Sequence, residues 1–447
     1  MVDDFDPHIN YLKTKPSSDL PGYSIRDLSL DNYGEFQTPM KTFDMGGLSK
    51  ETLFVYKNIQ ELKVIEKPLF IWNSQTWSAL SRYIESGYNR SEEFLNISKF
   101  KPTIYKQIPN SIIASSVVFN RDPFRERITV YNNRKKVHPA LDKDNFEMFL
   151  QNLYGYSRGF ALVPDIKYGK ISKNTPHIPK ATPIISFEDY KDTIDYFTQI
   201  FSERNNKAIF VPIQTTFGKK RLNKLVEHYK KNNYSNIWVN FNGAGMTDST
   251  LGGFRMIVRA LDNAFGKNNY CLYSSHIKKE VSNEFGNEIS PSFDMLYQYF
   301  GGNIIGCNRV GGKRPPDEEA IQKQMKKLGI TDKAEYESMN LASKRRIFSP
   351  STYYCHTPKT HPGLPKYSKD KRLVFSQEDL TNNLNKNIAI DNLLKYGEVE
   401  SVKNYFANNN SKVKPYIGKK KMIVENKDIG DKIFTKDQPS LFSFDLE

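Results

Sequence analysis

The chain has 447 residues, 65 Lys plus Arg against 50 Asp plus Glu, a formal net charge of +15 and 13% aromatic side chains. That aromatic content excludes a disordered chain, and a mean hydropathy of −0.62 excludes a multi-span membrane protein. Three widely spaced cysteines, Cys271, Cys307 and Cys355, offer neither a disulfide framework nor a CxxC pair, which points to a reducing compartment.

The N-terminus is acidic where a signal peptide would be basic, and no apolar run reaches the roughly 20 residues of a membrane helix, so a cytoplasmic protein without a membrane partner is expected. Residues 1–50 carry five basic and eight acidic side chains, a net −3 that leaves +18 on the rest. With Pro16, Pro21 and Gly22 among them, residues 1–60 read as an acidic arm or cap.

From residue 61 to about 348, short apolar runs precede longer amphipathic stretches, the pattern of β-strand then α-helix units. Strands are predicted at Pro68–Trp72, Ser111–Phe119, Gly159–Val163, Ala208–Ile213, Asn236–Phe241, Tyr270–Ser274 and Asn303–Cys307, and helices at Asp144–Tyr156, Phe187–Ser202, Lys219–Lys231, Thr250–Phe265 and Ser292–Phe300. No GxGxxG follows the first strand and no GxxxxGK[ST] occurs, so a closed (β/α)8 barrel is favoured over a doubly wound sheet. Beyond it, a charged helix at Asp317–Leu328 leads into residues 349–447, read as a small, mainly helical accessory domain with a helix-loop-helix at Ser376–Lys395 and Glu398–Ala407.

Polar and small residues stand directly after several strands, where a barrel gathers its active site on one rim. Asp165 closes Phe160-Ala-Leu-Val-Pro-Asp165, Gln214 closes Ala208-Ile-Phe-Val-Pro-Ile-Gln214, and Asn242-Gly243-Ala244-Gly245 follows the next strand. Asp165 can accept two hydrogen bonds from an amidine-like edge, Gln214 can donate and accept together, and glycines let a ligand approach the backbone. An Asx turn, a Gln bonded to nearby backbone and a plain tight turn are the competing structural readings. The basic excess fits either a solvated surface or a polyanionic partner such as nucleic acid.

In their order and spacing these elements resemble the tRNA-guanine transglycosylase superfamily, barrel enzymes that exchange guanine in nucleic acid for a 7-deazaguanine base. The family's strand ending in Asp, its Val-Gln-Gly, its Gly-Leu-Ala-Val-Gly loop and its Gly-Val-Asp-x-Phe-Asp strand correspond to Leu-Val-Pro-Asp165, Val-Pro-Ile-Gln214-Thr-Thr, Phe-Asn-Gly243-Ala-Gly245 and Phe-Gly301-Gly-Asn303-Ile-Ile-Gly306-Cys307. Ile112-Ile-Ala-Ser115-Ser116-Val-Val-Phe119-Asn120 stands where the family carries Ile-Leu-Thr-Asp-Ser-Gly-Gly-Phe-Gln, and the similarity runs from about residue 105 to 312. The resemblance implies that Asp165 and Gln214 read the base edge, that backbone around Gly243 and Ala244 holds its other side, that Ser115 and Ser116 lie at the ring, and that Arg309, Lys313 and Arg314 contact phosphates.

The implied partners are nucleic acid, DNA or tRNA, and guanine or a 7-deazaguanine; a homodimer is among the assemblies allowed. The chain departs from the family at its two catalytic carboxylates, which fall on Gly306 and Ser115. Three accounts stay open: Asp122, Asp248 or Asp294 serves instead, Cys307 substitutes as the catalytic group beside Asp165, or the barrel binds without catalysing. An unrelated barrel enzyme acting on a small anionic metabolite is a further alternative. No cofactor is expected, since Cys355, His356 and His361 are too few for a closed zinc site.

Overall fold

The computed structural model describes residues 8–57, 59, 63–71, 80, 106–131, 134–138, 140–168, 185–245, 248–279, 288–309, 318–364 and 375–434. Seven of the barrel strands overlap the predicted ones: Lys63–Ile71, which starts five residues before the expected Pro68, Ser111–Phe119, Phe160–Leu162 continuing into Asp165–Ile166, Ala208–Gln214, Asn236–Asn240, Cys271–Ser275 and Ile304–Ile305. The eighth comes first in the chain. Met40–Lys41 and Phe43–Asp44 make one bent strand that pairs in parallel with Ile304–Ile305 on one side and with Ile65–Glu66 on the other.

These contacts close the ring. The parallel pairings run in chain order from the strand at Met40 through that at Ile304 and back, so the protein is an α/β barrel of eight parallel strands. The barrel therefore begins inside residues 1–60, the segment read as an arm.

The preceding residues form an antiparallel meander, Ile9–Pro16, Ser24–Leu30 and Gly34–Thr38. Its Ile9, Leu28, Leu30 and Phe36 join an inner core with Met40, Val64, Ile112, Phe160, Ala208 and Cys271, residues at the N-terminal ends of barrel strands. The meander thus plugs the barrel floor. Arg26 fixes it there, donating from Nη1 to the Tyr270 carbonyl and from Nη2 to that of Lys267, both at 2.9 Å.

Outside the sheet lie the helices Lys143–Tyr156, Phe187–Ser202, Lys219–Lys231 and Asp248–Phe265, and the 3-10 helix Phe293–Phe300, closed by Gly301 at φ 98°. Leu222, Leu225, Val226 and Tyr229 are the buried stripe of Lys219–Lys231, and they belong to the outer core between sheet and helices. Alternation along each strand separates the two cores: Ile113, Val117 and Phe119 face outward, Ile112, Ala114 and Val118 inward.

The C-terminal region is helical, as expected, but its longest element is a single helix, Leu384–Asn408, rather than a helix-loop-helix. It packs on the first barrel strand: the Tyr396 ring lies 5.3 Å from that of Phe43, and Leu394, Val399, Val402 and Phe406 enter the outer core. It serves as the barrel's covering helix. Among the described residues, no helix is long and apolar enough to cross a membrane.

Candidate active site at the barrel mouth

The C-terminal half of the barrel interior is polar, and two buried carboxylates organise it. Val64 faces inward and Ile65 outward, so Glu66 points into the barrel, where it is fully buried. Its Oε1 accepts from the hydroxyls of Ser116 (2.5 Å) and Ser275, and its Oε2 from Tyr273 (2.9 Å), Thr42 (3.3 Å) and the Cys307 N–H (2.6 Å). Donors from four other parts of the ring thus converge on one side chain.

Asp165 is the second centre, also fully buried. Its Oδ1 accepts from the Ile166 N–H (2.8 Å), the Tyr190 hydroxyl (2.9 Å) and Gln214 Nε2 (3.0 Å), and its Oδ2 from Asn240 Nδ2 (2.6 Å). Gln214 donates also to the Ile166 carbonyl (2.6 Å) and accepts at Oε1 from the Tyr168 N–H (3.1 Å). The structure therefore brings Asp165 and Gln214 together, 49 residues apart in sequence, with their polar groups satisfying each other.

Burial pushes the Asp165 carboxyl up to about 6, against hydrogen bonds from Asn240, Tyr190, Gln214 and Ile166 that pull it down. The folded value lies above that of an unfolded Asp, so this group's contribution to stability is complete below about pH 4 and is lost as pH rises through about 6. The loss is about 3 kcal/mol. Asp165→Asn cannot ionise, so urea unfolding from pH 4 to 7 should move the stability difference toward the variant by about that amount; parallel curves would refute it.

The other predicted residues fall differently. Ser116 faces the interior and binds Glu66, whereas Ser115 shares the outward parity of Ile113 and Val117. The Gly243 N–H donates to the His276 carbonyl and the Ala244 N–H to that of Phe241, both at 2.8 Å, while the Ala244 carbonyl accepts from Lys278 at 2.9 Å. Those groups hold the loop together and are not free for a base. Cys307 is buried, and burial, then the nearby Glu66 and Asp44 carboxylates, push its thiol well up, opposite to the shift that activates a nucleophilic thiol.

Gly306 has no room for a side chain. A Cβ there would lie 2.0 Å from the Ser274 carbonyl oxygen and 2.6 Å from Glu66 Oε2. Of the substitutes considered, Asp122 caps its own turn through the Phe124 N–H (2.9 Å) and Asp294 pairs with Lys395 (2.6 Å); the Asp248 side chain lies outside the described residues. Arg309 pairs through its backbone with Lys278, and Lys313 and Arg314 lie outside the described residues. His356 bonds Thr352 (3.1 Å) and His361 the Phe348 carbonyl (3.0 Å), and no group of three metal-ligating side chains converges among the described residues.

Glu66, Tyr190 and Asn240 are site residues that the sequence reading does not reach, whereas Ser275 belongs to the polar strand-end cluster Ser274-Ser275-His276. Glu66 has a signal in the sequence, a single acid within the run Val64-Ile-Glu-Lys-Pro-Leu-Phe-Ile71, but it lies ahead of the strand expected from Pro68. Asn240 and Ser275 sit at strand ends in register with each other, and Asn240 with Gln214, so strand register alone would have placed them on the same rim.

No family model and no curated protein matches the chain. Solved structures similar to it include an endo-β-1,4-mannanase from Cellulomonas fimi, 9% identical with TM-score 0.36 over 66% of this chain and 71% of that one. A morphinone reductase is 9% identical with TM-score 0.31 over 67% and 90%. A D-psicose 3-epimerase from Clostridium cellulolyticum is 10% identical with TM-score 0.30 over 61% and 87%. The barrel assignment rests on the strand register described above.

Proposed function

We propose that this barrel exchanges guanine for a 7-deazaguanine base in nucleic acid, with Asp165 and Gln214 reading the base at the C-terminal mouth. The observation that carries the reading is their direct contact at 3.0 Å, with Asn240 completing the acceptor-donor set. A base edge with adjacent N–H donors can take the place of the Gln214 and Asn240 amides on the Asp165 carboxylate, freeing Gln214 to bond the neighbouring base atoms. Displacing the old base at the ribose carbon requires a carboxylate or another activated nucleophile. Glu66 is the carboxylate whose oxygen fills the space beside Gly306.

A specific observation favours a second reading, a barrel that binds a base in nucleic acid without exchanging it. Gly306 cannot carry the family's carboxylate, and Ser115 faces away from the interior. Incubation with labelled guanine or 7-deazaguanine bases and with tRNA or DNA decides between the two. Exchange by the native chain, lost by at least about a hundredfold in Asp165→Ala, supports the enzyme; one missing hydrogen-bonding partner in a preorganised site commonly costs that much. Salt-dependent nucleic-acid binding without exchange supports the binding protein. Exchange that survives Asp165→Ala removes the base-recognition assignment.

A further inference from the structure

The helix Lys219–Lys231 carries six Lys or Arg residues and one acid, Glu227. Its apolar stripe is consumed by the outer core, so Lys219, Lys220, Arg221, Lys224, Lys230 and Lys231 all stand exposed. Ordinary solubility needs no such one-signed face, and the field it projects favours a polyanion.

The distribution along the helix is more telling than the count. The helix starts five residues after Gln214, the last residue of its strand, so its first turn lies at the C-terminal mouth and its last turn toward the floor. An acid of the neighbouring helix Phe187–Ser202 opposes the later part, where Asp195 accepts from His228 at 2.8 Å. Among the described residues, Lys219, Lys220 and Arg221 have no ion-pair partner.

Arg221 also ties this turn to the site. Its guanidinium lies over the Tyr168 ring, 5.5 Å from the centroid, and the Tyr168 N–H is the group that donates to Gln214 Oε1. Cations and base-reading groups are thus linked through one residue. The hairpin Arg127–Tyr131 and Arg134–His138 leaves the same end of the barrel after the strand Ser111–Phe119, and its sequence holds four Lys or Arg and no acid.

We infer that Lys219, Lys220 and Arg221 form a contact surface for the phosphate backbone of a nucleic acid that approaches the barrel mouth. The inference rests on the function proposed above and supplies a phosphate surface within the described structure. Each phosphate neutralised releases condensed counterions, so the contact is read as a salt slope.

The test measures binding of labelled single-stranded DNA, duplex DNA and tRNA by the full chain at several salt concentrations. Lys219→Gln, Lys220→Gln and Arg221→Gln are combined in one variant, glutamine being a good helix former that keeps the turn intact. The triple variant is expected to bind about tenfold or more weakly near ~0.1 M salt, with a log-log salt slope shallower by about 2 to 3. Lys230→Gln with Lys231→Gln, at the floor end, is expected to change the slope by less than about 1. If the native chain binds with a salt slope that the triple variant retains, this surface is wrong while the proposed function stands. If the native chain shows no salt-dependent binding to any of the three polymers, both are overturned. The polymer bound most tightly identifies the source of the phosphates.

Discussion

Replacing Lys395 with methionine is expected to lower the unfolding free energy by about 3 to 5 kcal/mol, the usual cost of stripping one partner from a buried ion pair. Lys395 is fully buried in the covering helix, with Nζ 2.6 Å from Asp294 Oδ2, 3.3 Å from Asp391 Oδ2 and 3.1 Å from Asn308 Oδ1. Lys279 reaches the same Asp391 oxygen at 3.1 Å. Burial alone would push both carboxyls up, but Lys395 and the nearby Lys41 hold Asp294 well below the usual range, and Lys279 with Lys395 holds Asp391 below it.

Among the described residues, Asp294 without Lys395 keeps only its Ser292 hydroxyl bond at 2.7 Å and becomes a buried charge with no direct counterion. The sign of the pH dependence follows. Both carboxyls are depressed in the fold, so their stabilisation is present above the unfolded value near pH 4 and disappears as pH falls through the folded values. The penalty of Lys395→Met should therefore shrink in acid, and adding Asp294→Asn should recover part of it at neutral pH. Urea unfolding of the native chain and both variants checks this; a Lys395→Met chain within about 1 kcal/mol of the native one would show that the cluster does not clamp the helix to the barrel.

This cluster also explains why the covering helix is one element where the sequence pattern suggests two. Asn387, Asp391, Asn392, Lys395, Glu398 and Lys403 are all buried, so the polar residues that signal a solvent face in an ordinary helix here face protein, and the apolar period is blurred. The helix Lys219–Lys231, with four apolar residues on one stripe and charges elsewhere, was legible to the residue at both ends. The first barrel strand was hidden for another reason. Met40-Lys-Thr-Phe-Asp44 is short and three of its five residues are polar, and only pairing with strands on both sides makes it extended. At the mouth, Asp165 and Gln214 could be recognised as strand-end residues. That they bond each other depends on the register between two neighbouring strands that lie far apart in sequence, which no local pattern carries.

Glu66→Ala is expected to be the most damaging change inside the barrel, at about 4 kcal/mol or more, because it leaves a cavity and removes the acceptor for five buried donors. The donors differ in how well they can adapt. Ser116 and Ser275 lie 3.2 Å apart and can bond each other, and the Tyr273 and Thr42 hydroxyls can rotate, but the Cys307 N–H is fixed by the backbone that follows the last barrel strand. Glu66→Gln keeps the volume and one carbonyl oxygen for that N–H, and its amide can donate to serine hydroxyls that turn to accept, so it should cost only about 1 to 2 kcal/mol. The two variants therefore separate bracing from charge. Hydrogen exchange at the Cys307 amide should accelerate strongly in Glu66→Ala and little in Glu66→Gln. Gly306→Ala should resemble Glu66→Ala, and combining the two should bring no rescue, because the Ser274 carbonyl oxygen at 2.0 Å still blocks the new methyl group after the glutamate is gone. Equal urea midpoints for Glu66→Ala and Glu66→Gln would mean that bracing of the five converging donors by this side chain adds nothing to stability, and those donors would then have to be satisfied without it.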